Sequence, residues 1–114
     1  MVGYDGSDAA GRALDAAADL AGYGSTLAVV TVHTREPDGS TTATAREHLI
    51  RRQVVARYHE TGGEPAQALL EKAQELEADL IVIGRRNGGA LPAPIGSVSS
   101  TVVRNAPCDV LVVR

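Results

Sequence analysis

Two short segments of the sequence carry residues that could bind a phosphate-bearing or sugar-bearing ligand. The first is Asp5-Gly6-Ser7, in which a carboxylate follows a short apolar stretch and can accept hydrogen bonds from a ribose hydroxyl. The same carboxylate can instead cap a following helix and do nothing more. The second segment runs from Gly84 to Gly96-Ser97-Val98 and is rich in glycine, which permits close approach of the backbone to a ligand.

The second segment has the features of an anion site. A helix that opens at Gly96-Ser97-Val98 presents free N–H groups, and its dipole also favours phosphate. Ser97 can add a hydroxyl donor, while Arg85 and Arg86 can bring positive charge. A flexible turn before a well-capped helix would have the same composition. These residues alone therefore do not decide between an anion-binding role and a purely structural one.

Strand and helix patterns alternate along the chain, which predicts βαβ units and a parallel sheet. We expect strands over about 1–5, 27–33, 53–61, 79–84 and 109–114. Helices are expected over about 8–22, 42–52, 65–76 and 97–105. The third strand is more polar than the others, as is typical of an edge strand.

The order of the strands decides whether the two candidate segments meet. Right-handed crossovers on both faces require one reversal of winding, and the common arrangement is 3-2-1-4-5. Ligands in open α/β sheets sit beyond the carboxyl ends of the strands at that reversal, which lies between the first and fourth strands. The sequence thus predicts a three-layer, doubly wound α/β fold with Asp5 and Gly84 at one crevice.

Composition limits the classes of function. The chain has 114 residues, a net charge of −3 and 3% aromatic residues, so we expect one domain over 1–114 and no dedicated nucleic-acid binding. Cys108 is the single cysteine and precedes an apolar strand, which favours a buried structural thiol. Without a run of 18 apolar residues or a signal-peptide pattern, the sequence predicts a soluble cytoplasmic protein with no membrane partner.

Four segments together resemble the universal stress protein family. Asp5-Gly6-Ser7 is similar to the end of its first strand, and residues 63–66 with 79–84 resemble its third helix and fourth strand. Residues 96–99 and 105–113 closely resemble its C-terminal signature. The resemblance covers nearly the whole chain, most weakly between about 35 and 53. It implies the five-stranded sheet described above, of the adenine nucleotide alpha hydrolase-like type.

The resemblance also implies a ligand, ATP or a related adenine nucleotide, alone or with Mg²⁺. Asp5 would hold the ribose, and Val32, at the end of the second strand, would offer its backbone to the adenine. The ribose and phosphates would be held by residues around the glycine-rich loop, namely Gly84, Arg86, Asn87, Gly88, Gly96, Ser97 and Val98.

The glycine-rich loop departs from the pattern of the family's ATP binders, which is Gly-x-x-Gly, nine residues, then Gly-Ser or Gly-Thr. Asn87 stands at the second glycine, and only residues 88–95 separate it from Gly96. Asparagine tolerates the left-handed conformation, but the shorter loop could displace phosphate-facing amides by about 3 Å. Two functions follow: a nucleotide-binding regulatory module of the stress response, or a protein-interaction module of the same fold that has lost the pocket.

The final strand is apolar and, at the edge of the sheet, invites pairing with another chain. In the family this strand pairs with its counterpart, so we expect a homodimer through residues 109–114. The pairing residues would be Val110, Leu111, Val112 and Val113.

The remaining polar residues favour a structural interpretation. His33 is expected at the rim of the adenine pocket. His48 and His59 are expected on the surface, because no acidic residue is paired with either at motif spacing. The arginines of 46–52 are expected to form a solvated face. No hydrolytic triad is visible. A slow ATPase or a self-phosphorylating protein ranks last, because no general base is visible near the expected position of the γ-phosphate.

Overall fold

Five parallel strands form the framework in a computed structural model that describes residues 1–22, 25–36, 39–85 and 97–114. The strand order is β3-β2-β1-β4-β5, which confirms the predicted topology. The strands are β1 Val2–Gly3, β2 Leu27–His33, β3 Ala56–Gly62, β4 Leu80–Gly84 and β5 Asp109–Val113. The edge position predicted for the third strand is therefore correct.

Two of the helices begin at a side chain that caps them. They are α1 Asp8–Leu20, α2 Ser40–Arg51, α3 Pro65–Glu75 and α4 Ser97–Asn105. The Ser7 hydroxyl accepts a hydrogen bond from the N–H of Ala10 at the start of α1. The Glu64 carboxylate caps α3, in which Pro65 occupies the first position. None of these helices in the described ranges is long and apolar enough to cross a membrane.

The sheet separates two hydrophobic cores, which gives the predicted three layers. One core packs α1 and α2 against the sheet through residues that include Val2, Leu14, Val29 and Leu49. The other packs α3 and α4 through residues that include Val30, Leu69, Ile81 and Val102. Cys108 packs against this second core and is half-buried rather than buried, and burial raises the pKa of its thiol.

The start of the third strand differs from the prediction. Gln53 and Val54 do not belong to β3, because their N–H groups bond back to the carbonyls of Ile50 and Leu49 at the end of α2. Gln53 adopts a φ of 59°, the left-handed conformation that usually closes a helix in this way. Val55 is 92% exposed, so the apolar pair that suggested a strand belongs to the turn before it.

Polar contacts tie α2 to α1. His48 Nε2 lies 2.6 Å from Asp15 Oδ1, and Arg52 bonds to both Asp15 and Asp19. His48 therefore has an acidic partner, although none stands at motif spacing in the sequence. The partner stands 33 positions away in sequence and reaches His48 only through the packing of two helices. The face of α2 that carries Arg52 is likewise occupied by ion pairs with α1 rather than fully solvated.

Polar contacts also tie α2 to the sheet. The Thr42 hydroxyl donates to Glu60 Oε1 at 2.7 Å and lies 3.2 Å from the hydroxyl of Thr31. Thr31 and Thr42 are both buried. The Arg46 guanidinium lies over the ring of Tyr58, 4.7 Å from its centroid. These contacts join α2 to β2 and β3 beside the small apolar area that α2 buries.

Candidate functional site

A notch at the carboxyl edge of the sheet forms where β1 ends before its neighbours. Gly3, the last residue of β1, pairs with Val30 of β2. β2 continues for three more residues to His33, which is roughly 10 Å of extended chain. On the other side of β1, β4 runs on to Gly84. The notch therefore lies at the reversal of winding, where the topology predicts a ligand.

A cavity of about 370 Å³ occupies this notch. Its volume falls within the roughly 300–1,000 Å³ that is usual for small-molecule sites. The apolar part of its lining comes from both strands and helices and includes Val30, Val32, Leu69, Ile83 and Val98. Polar side chains stand on the same lining, namely Asp5, Ser7, Thr34 and Ser99. An apolar slot with a few polar groups suits a flat ring that carries a polar tail.

The structure brings the two candidate segments to this one cavity. Of the residues predicted for the site, Asp5, Val32, Gly84 and Val98 line it. Ser97 begins α4, which places the start of that helix beside the cavity. The predicted residues Arg86, Asn87, Gly88 and Gly96 lie outside the described ranges.

Asp5 organises the turn between β1 and α1. Its Oδ1 accepts a hydrogen bond of 2.9 Å from the backbone N–H of Ser7, and Gly6 between them has a φ of +85°. A side chain other than that of glycine would be strained at Gly6. The helix cap is Ser7, so the alternative in which Asp5 is merely the cap of α1 does not describe this turn. The Asp5 carboxyl group remains exposed at the cavity.

The backbone of Val32 faces the notch. The N–H of Tyr4 donates to the carbonyl of Val30 at 3.0 Å, so the polar backbone groups of Val30 point towards β1. Backbone direction repeats every second residue along a strand, so the N–H and C=O of Val32 point to the same side. At that level β1 has already ended, which leaves these two groups directed at the cavity that Val32 lines.

Gly84 is required by the packing of α1. A Cβ atom at this position would lie 2.5 Å from both the carbonyl carbon and the oxygen of Ala9, and 2.9 Å from the nitrogen of Ala10. These are backbone atoms, which cannot move aside independently. The sequence analysis explained this glycine by the close approach of a ligand to the backbone. The structure gives a different reason, because the end of β4 touches the first turn of α1.

Several cavity residues were not predicted from the sequence. Leu69 and Pro65 belong to the helix predicted over about 65–76, and both also line the cavity. Ser99, whose side chain is 2% exposed, joins them from α4. These residues lie near the carboxyl ends of the strands. The apolar pattern of one helix does not show which of its residues lie there.

Tyr4 and His33, which lie beside the predicted positions, differ in their relation to the cavity. Tyr4 lines it and is buried, and burial, followed by the nearby charge of Asp5, raises the pKa of its phenol. The ring of His33 instead lies against Gly62 of β3, and its Nδ1 is 3.0 Å from the carbonyl oxygen of Arg35. His33 is absent from the described cavity lining, although its neighbours Val32 and Thr34 belong to it, so its place at the rim stays a prediction.

β5 forms one edge of the sheet. It pairs with β4 through its full length, and its other side is the end of the strand order. Val110 and Val112 pack on the α3–α4 core and Val113 on the α1 core. Leu111 is 38% exposed.

This fold and site define a doubly wound α/β protein with a cavity at its strand reversal. The sequence pattern of the universal stress protein family matches residues 1–114, and the chain belongs to that family.

Individual relatives agree with this assignment. A universal stress protein of Thermus aquaticus is 38% identical over 132 residues, which cover 100% of this chain and 96% of the relative. A solved universal stress protein from Archaeoglobus fulgidus superposes with a TM-score of 0.80 at 26% identity, with coverage of 99% and 96%. Another solved universal stress protein, in complex with cAMP, gives a TM-score of 0.79 at 27% identity, with coverage of 99% and 94%.

Proposed function

We propose that this protein is a regulatory module of the stress response that binds ATP or a related adenine nucleotide in the crevice above β1. The observation that carries the proposal is the convergence of Asp5, the backbone of Val32 and the start of α4 on one largely apolar cavity. The complex of a similar protein with cAMP supports the same class of ligand.

Each part of the nucleotide has a matching part of the cavity. The adenine would lie between the apolar residues of β2 and α3, with its ring nitrogens towards the N–H and C=O of Val32. The carboxylate of Asp5 would accept hydrogen bonds from the ribose hydroxyls. The phosphates would reach the start of α4, where Ser97 and Val98 lie, because N–H groups and the helix dipole favour anions there.

The loop between β4 and α4 completes the proposed site. Gly84, the last residue of β4, lines the cavity. The loop proposed to approach the phosphates contains Arg86, Asn87, Gly88 and Gly96. Mg²⁺ would accompany ATP as a phosphate counter-ion, and Asp5 is the carboxylate among the described residues that line the cavity.

Calorimetric titration with ATP, AMP and cyclic AMP, with and without Mg²⁺, tests the proposal. The variant Asp5→Asn keeps an oxygen that can accept from the Ser7 N–H but removes the charge that would bind ribose. We expect it to weaken nucleotide binding about tenfold, which is about 1.4 kcal/mol. Asp109→Asn makes the same charge change at the start of β5, at the amino ends of the strands and away from the cavity. This control variant should bind nucleotide like the original protein. No heat at millimolar nucleotide would refute the proposal and favour the interaction module.

We further propose a two-fold homodimer formed by pairing of β5 with its counterpart. Residues Val110, Leu111, Val112 and Val113 would form the contact, since β5 is an edge strand that carries apolar side chains. Leu111→Arg should give a monomer in sedimentation at micromolar concentration. Ile50→Arg changes an exposed apolar residue on α2. Because α2 packs beside β2 and β3, on the other side of β1 from β5, this variant should leave the dimer intact. A monomeric mass of the unmodified protein would exclude the dimer.

A further inference from the structure

We infer that a nucleotide in the cavity strengthens the pairing of β5 with a second copy of this chain, and that α1 carries the effect, with Arg12 as its connecting residue. The inference rests on the proposed function, because it joins the cavity above β1 to the free edge of β5. It follows from the contacts that α1 makes at these two places.

The first turn of α1 forms part of the cavity wall. Ser7, which caps the helix, and Ala10 both line the cavity. The backbone of Ala9 and Ala10 lies so close to Gly84 of β4 that a Cβ atom on the glycine would stand 2.5 Å from the first and 2.9 Å from the second. A ligand that fills the cavity therefore contacts α1 and restricts the movement of its first turn against β4.

The same helix holds the end of β5. Arg12, two residues after Ala10, donates from Nε to the carbonyl oxygen of Arg114 at 2.6 Å. Val113, the last residue of β5, packs on the α1 core, and its carbonyl oxygen accepts from the N–H of Arg85. The end of β5 is thus tied to α1 within about one helical turn of the cavity wall.

The backbone groups of β5 that could pair with another chain belong to alternate residues. The carbonyl of Val113 points towards β4, because it accepts from the segment that follows β4. Backbone direction alternates along a strand, so the N–H and C=O groups of Val110 and Val112 point to the free edge. The residue that Arg12 holds, Arg114, follows these groups directly along the chain.

Pairing of an edge strand requires that its backbone stay in one extended conformation, and the loss of conformational freedom opposes this. The hydrogen bond from Arg12 restrains the end of β5 only while α1 keeps its position. A nucleotide that fixes the first turn of α1 therefore orders the end of β5 before the second chain binds. By linkage, the dimer should bind nucleotide more tightly than the monomer by the same factor.

Sedimentation equilibrium with and without nucleotide tests the inference. The probes are cyclic AMP, AMP and ATP with Mg²⁺, each at a concentration that saturates the protein in calorimetry. We expect nucleotide to lower the dissociation constant of the dimer about threefold to tenfold, which is the effect of about one hydrogen bond.

Two matched variants locate the source of the effect. Arg12→Met removes the donor but keeps a long side chain that favours a helix, so nucleotide should change its dimer dissociation constant by less than about twofold. Arg51→Met makes the same substitution at an exposed position of α2 and should respond to nucleotide like the original protein.

The outcomes separate this inference from the two proposals that precede it. A dimer dissociation constant that nucleotide leaves unchanged or raises overturns the inference, while nucleotide binding and the dimer both stand. An equal response of Arg12→Met and the original protein contradicts the role assigned to Arg12. A monomer under all conditions removes the dimer and the inference but leaves nucleotide binding. Absence of binding by all three nucleotides removes the proposed function and the inference together.

Discussion

Replacement of Gly84 by alanine tests the contact that shapes one wall of the cavity. The added Cβ would stand 2.5 Å from the backbone carbon and oxygen of Ala9, whereas carbon atoms normally approach to about 3.5–4.0 Å. The first turn of α1 would therefore have to move by about 1 Å. Overpacking of this kind usually costs about 1–3 kcal/mol, and the rigid backbone partner puts Gly84→Ala near or above 3 kcal/mol. Domains of this kind have a total stability of about 5–15 kcal/mol, so the variant should fold but unfold at lower urea concentration.

The matched control is Gly11→Ala, in the interior of α1. A Cβ at Gly11 would meet nothing within 4 Å, and alanine favours a helix over glycine by roughly 0.5–1 kcal/mol. Urea unfolding followed by circular dichroism should thus show opposite shifts for the two substitutions. Gly84→Ala should also weaken nucleotide binding, because Ser7 and Ala10 line the cavity and move with α1. A free energy of unfolding for Gly84→Ala within about 0.5 kcal/mol of the original value would refute the reasoning.

Two further predictions concern the contacts of α2. Thr42→Val removes the hydroxyl that bonds to Glu60 and should lower the free energy of unfolding by about 1–3 kcal/mol. The control Thr44→Val, at an exposed position, should change the free energy of unfolding by about 0.5 kcal/mol or less. An equal effect of the two valines in chemical denaturation would contradict this. Asp15→Asn should cost about 1 kcal/mol or less near neutral pH, because the hydrogen bond from His48 and the neighbouring Arg52 hold the pKa of Asp15 below its ordinary value of 3.8. That stabilisation is present above the unfolded-state pKa and is lost as the pH falls through the folded-state value. The free energies of unfolding of Asp15→Asn and of the original protein should therefore converge below about pH 4. A difference between them that persists or grows there would show that the charge of Asp15 does not cause it.

Most element positions could be predicted because they depend on local patterns. β2 has the predicted bounds, Leu27–His33, since its apolar run is continuous and lies between glycine-rich or polar segments. Ser7 and Pro65 mark two of the helix starts, the first as a cap and the second as a residue suited to the first turn. The strand order then follows from crossover handedness rather than from any particular residue.

The remaining features arise where distant segments pack, and local patterns do not contain that information. The pairing of His48 with Asp15 depends on the angle between α1 and α2. The start of β3 was misplaced because Gln53, a residue without glycine's freedom, closes α2 in the left-handed conformation. The contribution of Leu69 and Ser99 to the cavity depends on how far α3 and α4 reach past the strand ends.

The division of the interior by the sheet gives the protein two regions that can vary separately. The described apolar walls of the cavity belong largely to the α3–α4 core, while residues such as Leu14 and Leu49 lie on the other side of the sheet. A substitution at Leu49 should therefore change thermal stability more than ligand affinity, because α2 contributes no described residue to the lining, whereas Leu14 shares α1 with the lining residue Ala10.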